Sequence, residues 1–340
     1  MNVHLVVPDL LWPDTGAAPV GQTERLGALE QLFAKGRRTR ASATHLDAWL
    51  LEAWRAQGGA AAYALLAEGG TPGEANWLRA DPCHLRVSSD HLVLIDATMF
   101  EISRDEAEAL VEGINRHFAE DGVVCYAMQP ERWYVRAEDG APLDTRPLAL
   151  ARGRPVEARP GAGGGPTRWD AFANELQMLL HQHPVNEARE ERGELPVNGV
   201  WFWGGGRFAA PARNPFHRVR TDEPLAAGLA RAAGAAVLPR PDTAERWLRA
   251  SGQEGVELIV LDVLSAPASY DDAATWRERL MALEHDWFAP LLDALRSGRI
   301  GVITLHAIGA RGTIDVETTR QDLRYFWRRS RPIPTYVSAS

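Results

Sequence analysis

Residues 256–264 read Val-Glu-Leu-Ile-Val-Leu-Asp-Val-Leu, a nearly continuous apolar run that is typical of a strand buried on both faces. A second apolar run covers residues 300–306. A long helix is predicted between them, ended by Gly298, because apolar side chains recur at helical spacing at Leu280, Leu283, Trp287, Leu291 and Leu295. Strand, helix and strand in this order predict a βαβ unit, and hence an α/β fold with a mostly parallel sheet flanked by helices.

The N-terminus contributes to the same sheet in this interpretation. Residues 3–7 read Val-His-Leu-Val-Val and are followed by Pro8 and Asp9, which predicts a buried strand with a carboxylate at its C-terminal end. Two amphipathic helices are then predicted, ending at Gly36 and before Gly58. Residues 37–40, Arg-Arg-Thr-Arg, are expected to form a solvated loop between them.

The pattern changes at Trp77 to short strand-like runs, with a helix in which Ser103 and Glu106 form a capping box. Residues 152–166 are rich in glycine and proline and predict a linker that returns to the first domain. We therefore expect a core domain of residues 1–75 and 161–340, with residues 76–160 inserted as a smaller α+β lid. A helix at 169–181 and a buried strand at 200–203 are assigned to the core.

Composition narrows the class of protein. The 340 residues carry a net charge of −8, which disfavours nucleic acid as a partner because binding to phosphate backbones is largely electrostatic. The two cysteines, Cys83 and Cys125, give no disulfide framework, as expected in a reducing cytoplasm. No stretch of eighteen apolar residues and no leader-like segment is found, so neither a membrane span nor secretion is expected.

Two polar clusters are candidates for ligand binding. The first, residues 79–86, contains Arg79, Asp81 and His84, and guanidinium groups offer paired donors to carboxylate or phosphate. The alternative is a surface hairpin held by ion pairs. The second runs from His181 to Gly206, where His183 precedes a proline at a predicted helix end and Gly204–Gly206 follow a strand. A plain turn explains the glycines equally well.

These clusters resemble the archaeal-type cofactor-independent phosphoglycerate mutases of the alkaline phosphatase superfamily. Residues 181–206 are similar to that family's H-P-V/I-N…R…G…A-N…W-L-W-G-x-G stretch, and residues 79–107 are similar to its lid phrases. The phrases at 77–82 and 326–329 resemble more closely a bacterial group described as mutase-like or as RpfE-type regulatory proteins. The resemblance implies an alkaline-phosphatase-like core with a lid, and a ligand site formed by Arg79, Asp81, His84, His183, Asn186 and Arg189.

Other parts of the sequence depart from the family pattern. The family's serine nucleophile aligns with Ala41, and only a one-residue slip recruits Ser42. Its two divalent metals, Mn, Zn or Mg, are held by aspartates and histidines, of which Asp9, Asp262 and His306 are the counterparts here. We expect a non-catalytic or heavily altered relative, a regulatory pseudoenzyme that binds a small phosphorylated or carboxylated ligand. The alternative is a metal-dependent phosphotransferase or isomerase with Ser42 as nucleophile.

The C-terminal segment 324–329, Arg-Tyr-Phe-Trp-Arg-Arg, mixes basic and aromatic residues. It is predicted to be an amphipathic helix that docks its aromatic side chains on the core. The alternative is a surface that binds a protein partner of acidic character, or nucleic acid.

Overall fold

The computed structural model describes residues 1–12, 25–88, 91–137, 146–156, 168–250 and 255–338. The strands are β1 (Asn2–Pro8), β2 (Arg37–Ala41), β3 (Asn76–Ser88), β4 (His91–Asp96), β5 (Val123–Gln129), β6 (Arg132–Ala137), β7 (Pro155–Val156), β8 (Gly199–Gly206), β9 (Arg218–Arg220), β10 (Ala236–Leu238), β11 (Val256–Val260), β12 (Val302–Ile308) and β13 (Thr313–Thr319).

The helices are α1 (Gly27–Lys35), α2 (Leu46–Trp54), α3 (Ala60–Ala67), α4 (Arg104–His117), α5 (Leu148–Ala151), α6 (Arg168–His181), α7 (Pro184–Glu191), α8 (Pro224–Ala232), α9 (Ala244–Ala250), α10 (Ser265–Ser269), α11 (Ala273–Leu283), α12 (Ala289–Ser297) and α13 (Pro334–Ser338). A π-helical turn, Glu284–Phe288, joins α11 to α12, and a 3-10 turn spans Asp322–Arg324. Across the described ranges, no helix is both long and apolar enough to cross a membrane.

The chain forms two compact units. Residues 1–55 and 212–340 make the first, which we call the core unit, and residues 56–211 make the second, the insert unit. The predicted insertion of residues 76–160 lies within the insert unit, which extends further along the sequence in both directions. The unit includes residues after 160 because β8 pairs with β3. It includes residues before 76 because the start of α3 packs against Gly204 of β8.

The core unit contains a seven-stranded sheet in the order β10-β9-β11-β1-β12-β13-β2. The first five strands are parallel, and β13 and β2 add an antiparallel edge. Apolar side chains of β1 and β12, such as Leu5 and Leu305, share one buried cluster with Phe33 of α1 and Leu291 of α12. The predicted α/β class, with a mostly parallel sheet flanked by helices, is confirmed.

The insert unit contains an antiparallel sheet in the order β5-β6-β3-β4-β7, with β8 paired to β3 outside this path. Its core lies between this sheet and the helices α4 and α6, where Leu110, Trp133, Phe172 and Phe202 are buried together. The predicted capping box is confirmed: the Ser103 hydroxyl accepts the Glu106 amide proton, and the Glu106 carboxylate accepts the Ser103 amide proton.

Three predictions about local structure are wrong. The strand at 200–203 belongs to the antiparallel sheet, because β8 pairs with β3 with Trp201 opposite Asp81. Gly206 at the end of β8 allows close backbone packing within the unit, since a Cβ on Gly206 would lie 2.9 Å from the Gly59 Cα. Residues 37–40 form β2, an exposed edge strand paired with β13, in place of the expected loop.

The third wrong prediction is the C-terminal amphipathic helix. The segment after the 3-10 turn is irregular, and Phe326 and Trp327 are exposed. Of the predicted linker at 152–166, the part from 157 to 166 lies outside the described residues.

Candidate functional site

His306 lies in β12 opposite Val6 of β1, in the core unit. Its Nδ1 is 2.8 Å from Asp315 Oδ1 and its Nε2 is 2.9 Å from His4 Nδ1. A carboxylate can only accept, so His306 donates from Nδ1 to Asp315, and its Nε2 shares a hydrogen bond with His4. Both ring nitrogens of His306 therefore have hydrogen-bond partners within the core unit.

Aromatic side chains cover this row of polar groups. The Trp49 ring centroid lies 4.8 Å from that of His306, and the Phe216 ring lies 5.3 Å from that of His4. Burial disfavours the charged imidazole, and the neighbouring His306 adds repulsion, so the pKa of His4 falls to about 4. His4 is therefore neutral at physiological pH.

Asp9 and Asp262 both follow parallel strands. The sequence predicted this for Asp9, whereas Asp262 was expected within a strand over 256–264 that in the structure ends at Val260. Asp9 directly follows β1 with φ of 56°, its amide donates to the Ile308 carbonyl at 2.8 Å, and its carbonyl accepts from the Trp276 indole at 2.9 Å. Asp262 comes just after β11, and its carbonyl accepts from the Ser265 amide at 3.0 Å. Both lie at the edge where open α/β sheets commonly bind ligands.

Sequence reasoning missed two further carboxylates at this edge, Glu223 and Asp47. Glu223 caps α8 and accepts the amide protons of Leu225 and Ala226 at 2.9 and 2.6 Å. The pKa of Glu223 is raised to about 7, mainly by burial and also by the nearby charges of Asp47 and Asp262. The dipeptide Glu223-Pro224, placed just after a strand, is the signal that could have identified this cap.

Ser42 lies just after β2 and is exposed. Its backbone carbonyl accepts a hydrogen bond from the Thr313 hydroxyl at 3.1 Å. Within the described ranges, no group of three His, Cys, Asp or Glu side chains is arranged to hold a metal ion. The described residues therefore do not fit a two-metal phosphoryl-transfer site.

Arg79 and Asp81 form a buried ion pair in the insert unit. The Nε and Nη2 atoms of Arg79 donate to Asp81 Oδ1, and the Trp203 indole donates to Asp81 Oδ2 at 2.5 Å. Burial raises the pKa of Asp81, although Arg79 and the Trp203 hydrogen bond oppose that rise. The Arg79 guanidinium also lies 5.1 Å from the Tyr134 ring centroid.

Three other predicted ligand residues converge on one backbone segment, residues 195–197. Arg189 Nε donates to the Leu195 carbonyl at 2.8 Å, and His84 Nδ1 lies 2.9 Å from the Pro196 carbonyl. Asn186 Oδ1 accepts the Val197 amide proton at 2.8 Å, and its Nδ2 donates to the Val197 carbonyl at 2.9 Å. These side chains hold the turn between α7 and β8.

Further contacts complete this arrangement. Arg189 Nη1 pairs with Glu106 at 2.9 Å, and its Nη2 donates to the Glu101 carbonyl. His183 caps α7 by accepting the Val185 amide proton at 3.3 Å, and burial lowers the pKa of His183. Arg79 and His84 are five positions apart on β3 and so point to opposite faces of the sheet. The structure does not gather the six predicted ligand residues around one point, and their role in ligand binding stays a prediction.

Comparisons with known proteins extend these observations. No family model matches the chain. The 2,3-bisphosphoglycerate-independent phosphoglycerate mutase of Methanosarcina barkeri is 30% identical over 140 residues, which cover 40% of this chain and 34% of that protein. The protein of the same name from Methanosarcina mazei is 26% identical over 126 residues, which cover 36% of this chain and 32% of that protein. Over these residues the chain is similar to the cofactor-independent phosphoglycerate mutases.

The predicted resemblance to the cofactor-independent phosphoglycerate mutases is therefore confirmed for part of the chain. The match spans about a third of the length of each of these relatives. The structure of PH0037 from Pyrococcus horikoshii superposes with a TM-score of 0.56 at 14% identity, covering 93% of this chain and 87% of that one. That likeness concerns the fold alone.

Proposed function

We propose that this phosphoglycerate mutase-like protein is non-catalytic, binds a small phosphorylated or carboxylated ligand, and acts through that binding in a regulatory role. The observation that carries the proposal is the pairing of His306 with both His4 and Asp315. A metal-ligating histidine offers one ring nitrogen to the metal and commonly donates the other to a carboxylate, as His306 Nδ1 does to Asp315 at 2.8 Å. Here the remaining nitrogen, Nε2, lies 2.9 Å from His4 Nδ1. The carboxylates of Glu223, Asp47 and Asp262 crowd the same sheet edge, and without a metal they would repel an anionic substrate.

The ligand half of the proposal rests on Arg79. The Nε and Nη2 atoms of this buried guanidinium donate to Asp81. A guanidinium carries five N–H donors in a planar fork, and the donors that Asp81 does not use suit a phosphate or carboxylate oxygen. Burial alone would lower the pKa of Arg79, but Asp81 more than offsets this, so the group stays charged.

Calorimetric titration with 2- and 3-phosphoglycerate and phosphoenolpyruvate tests ligand binding. We expect a dissociation constant below about 1 mM for at least one of them. Arg79→Lys keeps the charge but loses the fork geometry, and it should weaken binding about tenfold or more. Arg86→Lys, an exposed arginine on the same strand, is the matched control. Absence of binding at millimolar concentration, or equal binding by both variants, would overturn this half of the proposal.

The second candidate is a metal-dependent phosphoryl-transfer enzyme with Ser42 as nucleophile, and the names of the relatives favour it. It predicts that the purified protein retains manganese or zinc, and that Ser42→Ala abolishes turnover. Elemental analysis of the purified protein together with that variant separates the two candidates.

A further inference from the structure

A cavity of about 810 Å³ in the core unit is lined by residues from the end of α1, from β2 and from the C-terminal segment. Its lining contains five arginines, Arg37, Arg38, Arg328, Arg329 and Arg331, and one carboxylate, Asp322. We call this surface the arginine pocket. It shares no residue with the predicted ligand set or with the carboxylates at the sheet edge, so the inference does not depend on the proposed function.

Exposed aromatic side chains border the pocket. Trp327 is 61% exposed and Phe326 is 83% exposed, and their rings meet edge to face at 5.1 Å. Two adjacent large aromatic side chains left in water contribute little to folding, whereas tryptophan and arginine are the residue types that most often dominate binding energy at protein interfaces.

Hydrogen bonds to α1 hold this segment in place. Lys35 Nζ donates to the Tyr325 carbonyl at 2.6 Å, and Arg328 Nη1 donates to the Lys35 carbonyl at 2.6 Å. The Arg328 guanidinium lies 4.7 Å from the Tyr325 ring centroid. Trp327 and Phe326 are therefore presented by an anchored backbone, which reduces the entropy lost when a partner binds.

The positive charge of the pocket is largely uncompensated. Arg37 pairs with Glu317 at 3.1 Å, and Asp322 accepts hydrogen bonds from Thr319. By contrast, Arg329 and Arg331 have no side-chain acceptor within the part of the chain that the structure describes. This is a local basic patch on a chain whose net charge is −8, so it attracts acidic groups that the rest of the surface repels.

We propose that the arginine pocket binds an acidic segment of a partner protein. Carboxylates of that segment pair with Arg329 and Arg331, and an apolar side chain packs on Trp327. A protein segment is favoured over nucleic acid because the acidic chain as a whole repels a long polyanion, while a short acidic segment meets only the basic patch.

Fluorescence anisotropy with the full chain tests this proposal. The probe is a labelled peptide of three Glu-Asp-Leu-Phe repeats, and the control peptide has Ser-Gln in place of Glu-Asp. At about 50 mM salt we expect the acidic peptide to bind at least tenfold more tightly than the control, and its binding to weaken as salt is raised. Trp327→Ala should weaken binding about tenfold.

The double variant Arg329→Glu with Arg331→Glu should abolish binding. Arg246→Glu with Arg249→Glu, two exposed arginines on α9, makes the same change in net charge elsewhere on the core unit. All four sites are exposed, so unchanged melting temperatures will verify folding. Equal loss in both double variants would overturn the proposal, as would no peptide binding at 1 mM. If a twelve-nucleotide single strand binds more tightly than the acidic peptide, the arginine pocket is a nucleic-acid-binding surface and the proposal of an acidic protein partner is wrong.

Discussion

Replacing Asn186 with alanine tests whether this residue holds the fold of the insert unit. Asn186 is 2% exposed, and its side chain makes three hydrogen bonds, to the Leu180 carbonyl at 2.7 Å, the Val197 carbonyl at 2.9 Å and the Val197 amide at 2.8 Å. Each buried hydrogen bond contributes about 1 kcal/mol net, so Asn186→Ala should lower the free energy of unfolding by about 3 kcal/mol. The Val197 amide would be left buried without an acceptor.

Hydrogen exchange read at the Val197 amide is the sharpest assay. A decrease of about 3 kcal/mol in the free energy of local opening makes the Val197 amide exchange faster by a factor on the order of one hundred. This measurement is valid whether or not the two units unfold together. Glu187→Ala, on the exposed side of the same helix, is the control and should leave exchange unchanged. Unchanged Val197 protection in Asn186→Ala would refute the structural role assigned to this residue.

Two further predictions concern titration in the core unit. The pKa of His4 is about 4 in the folded protein and about 6.5 when unfolded, so the unfolded chain binds more protons between these values. The free energy of unfolding should therefore fall by up to about 3 kcal/mol as pH drops from 6.5 to 4. The urea midpoint of the His4→Gln variant should lose most of this pH dependence. A midpoint that falls as steeply with pH in the variant as in the parent protein would contradict the lowered pKa of His4. Asp47→Asn should lower the pKa of Glu223 from about 7, as read by carbon NMR of its carboxyl, and an unchanged value would mean that Asp47 contributes nothing.

Much of the core-unit fold was predictable because its main elements have strong periodicity. The runs that predicted β1, β11, β12 and the long helix before Gly298 are all present. The strands β9 and β10 were missed, since each has three residues and is held by its neighbours in the sheet. The long helix contains a π-helical turn at Glu284–Phe288 that the apolar spacing does not reveal.

The site was less predictable than the fold, because the chemistry of a side chain does not reveal its partner. His306 was predicted as a counterpart of a family metal ligand, and its partners, His4 and Asp315, are brought to it by the register of β12 with its neighbours. Arg189 has donors that suit phosphate, and the same donors suit the Leu195 and Glu101 carbonyls that they reach in the structure. Only the three-dimensional arrangement separates these roles.

We propose that this chain does not transfer phosphoryl groups, although part of it is similar to phosphoglycerate mutases. The most direct test is conversion of 3-phosphoglycerate to 2-phosphoglycerate by the purified full chain with added manganese. We predict no turnover above the protein-free control, and no change with Ser42→Ala or His306→Gln. Manganese-dependent turnover that either substitution abolishes would contradict the claim.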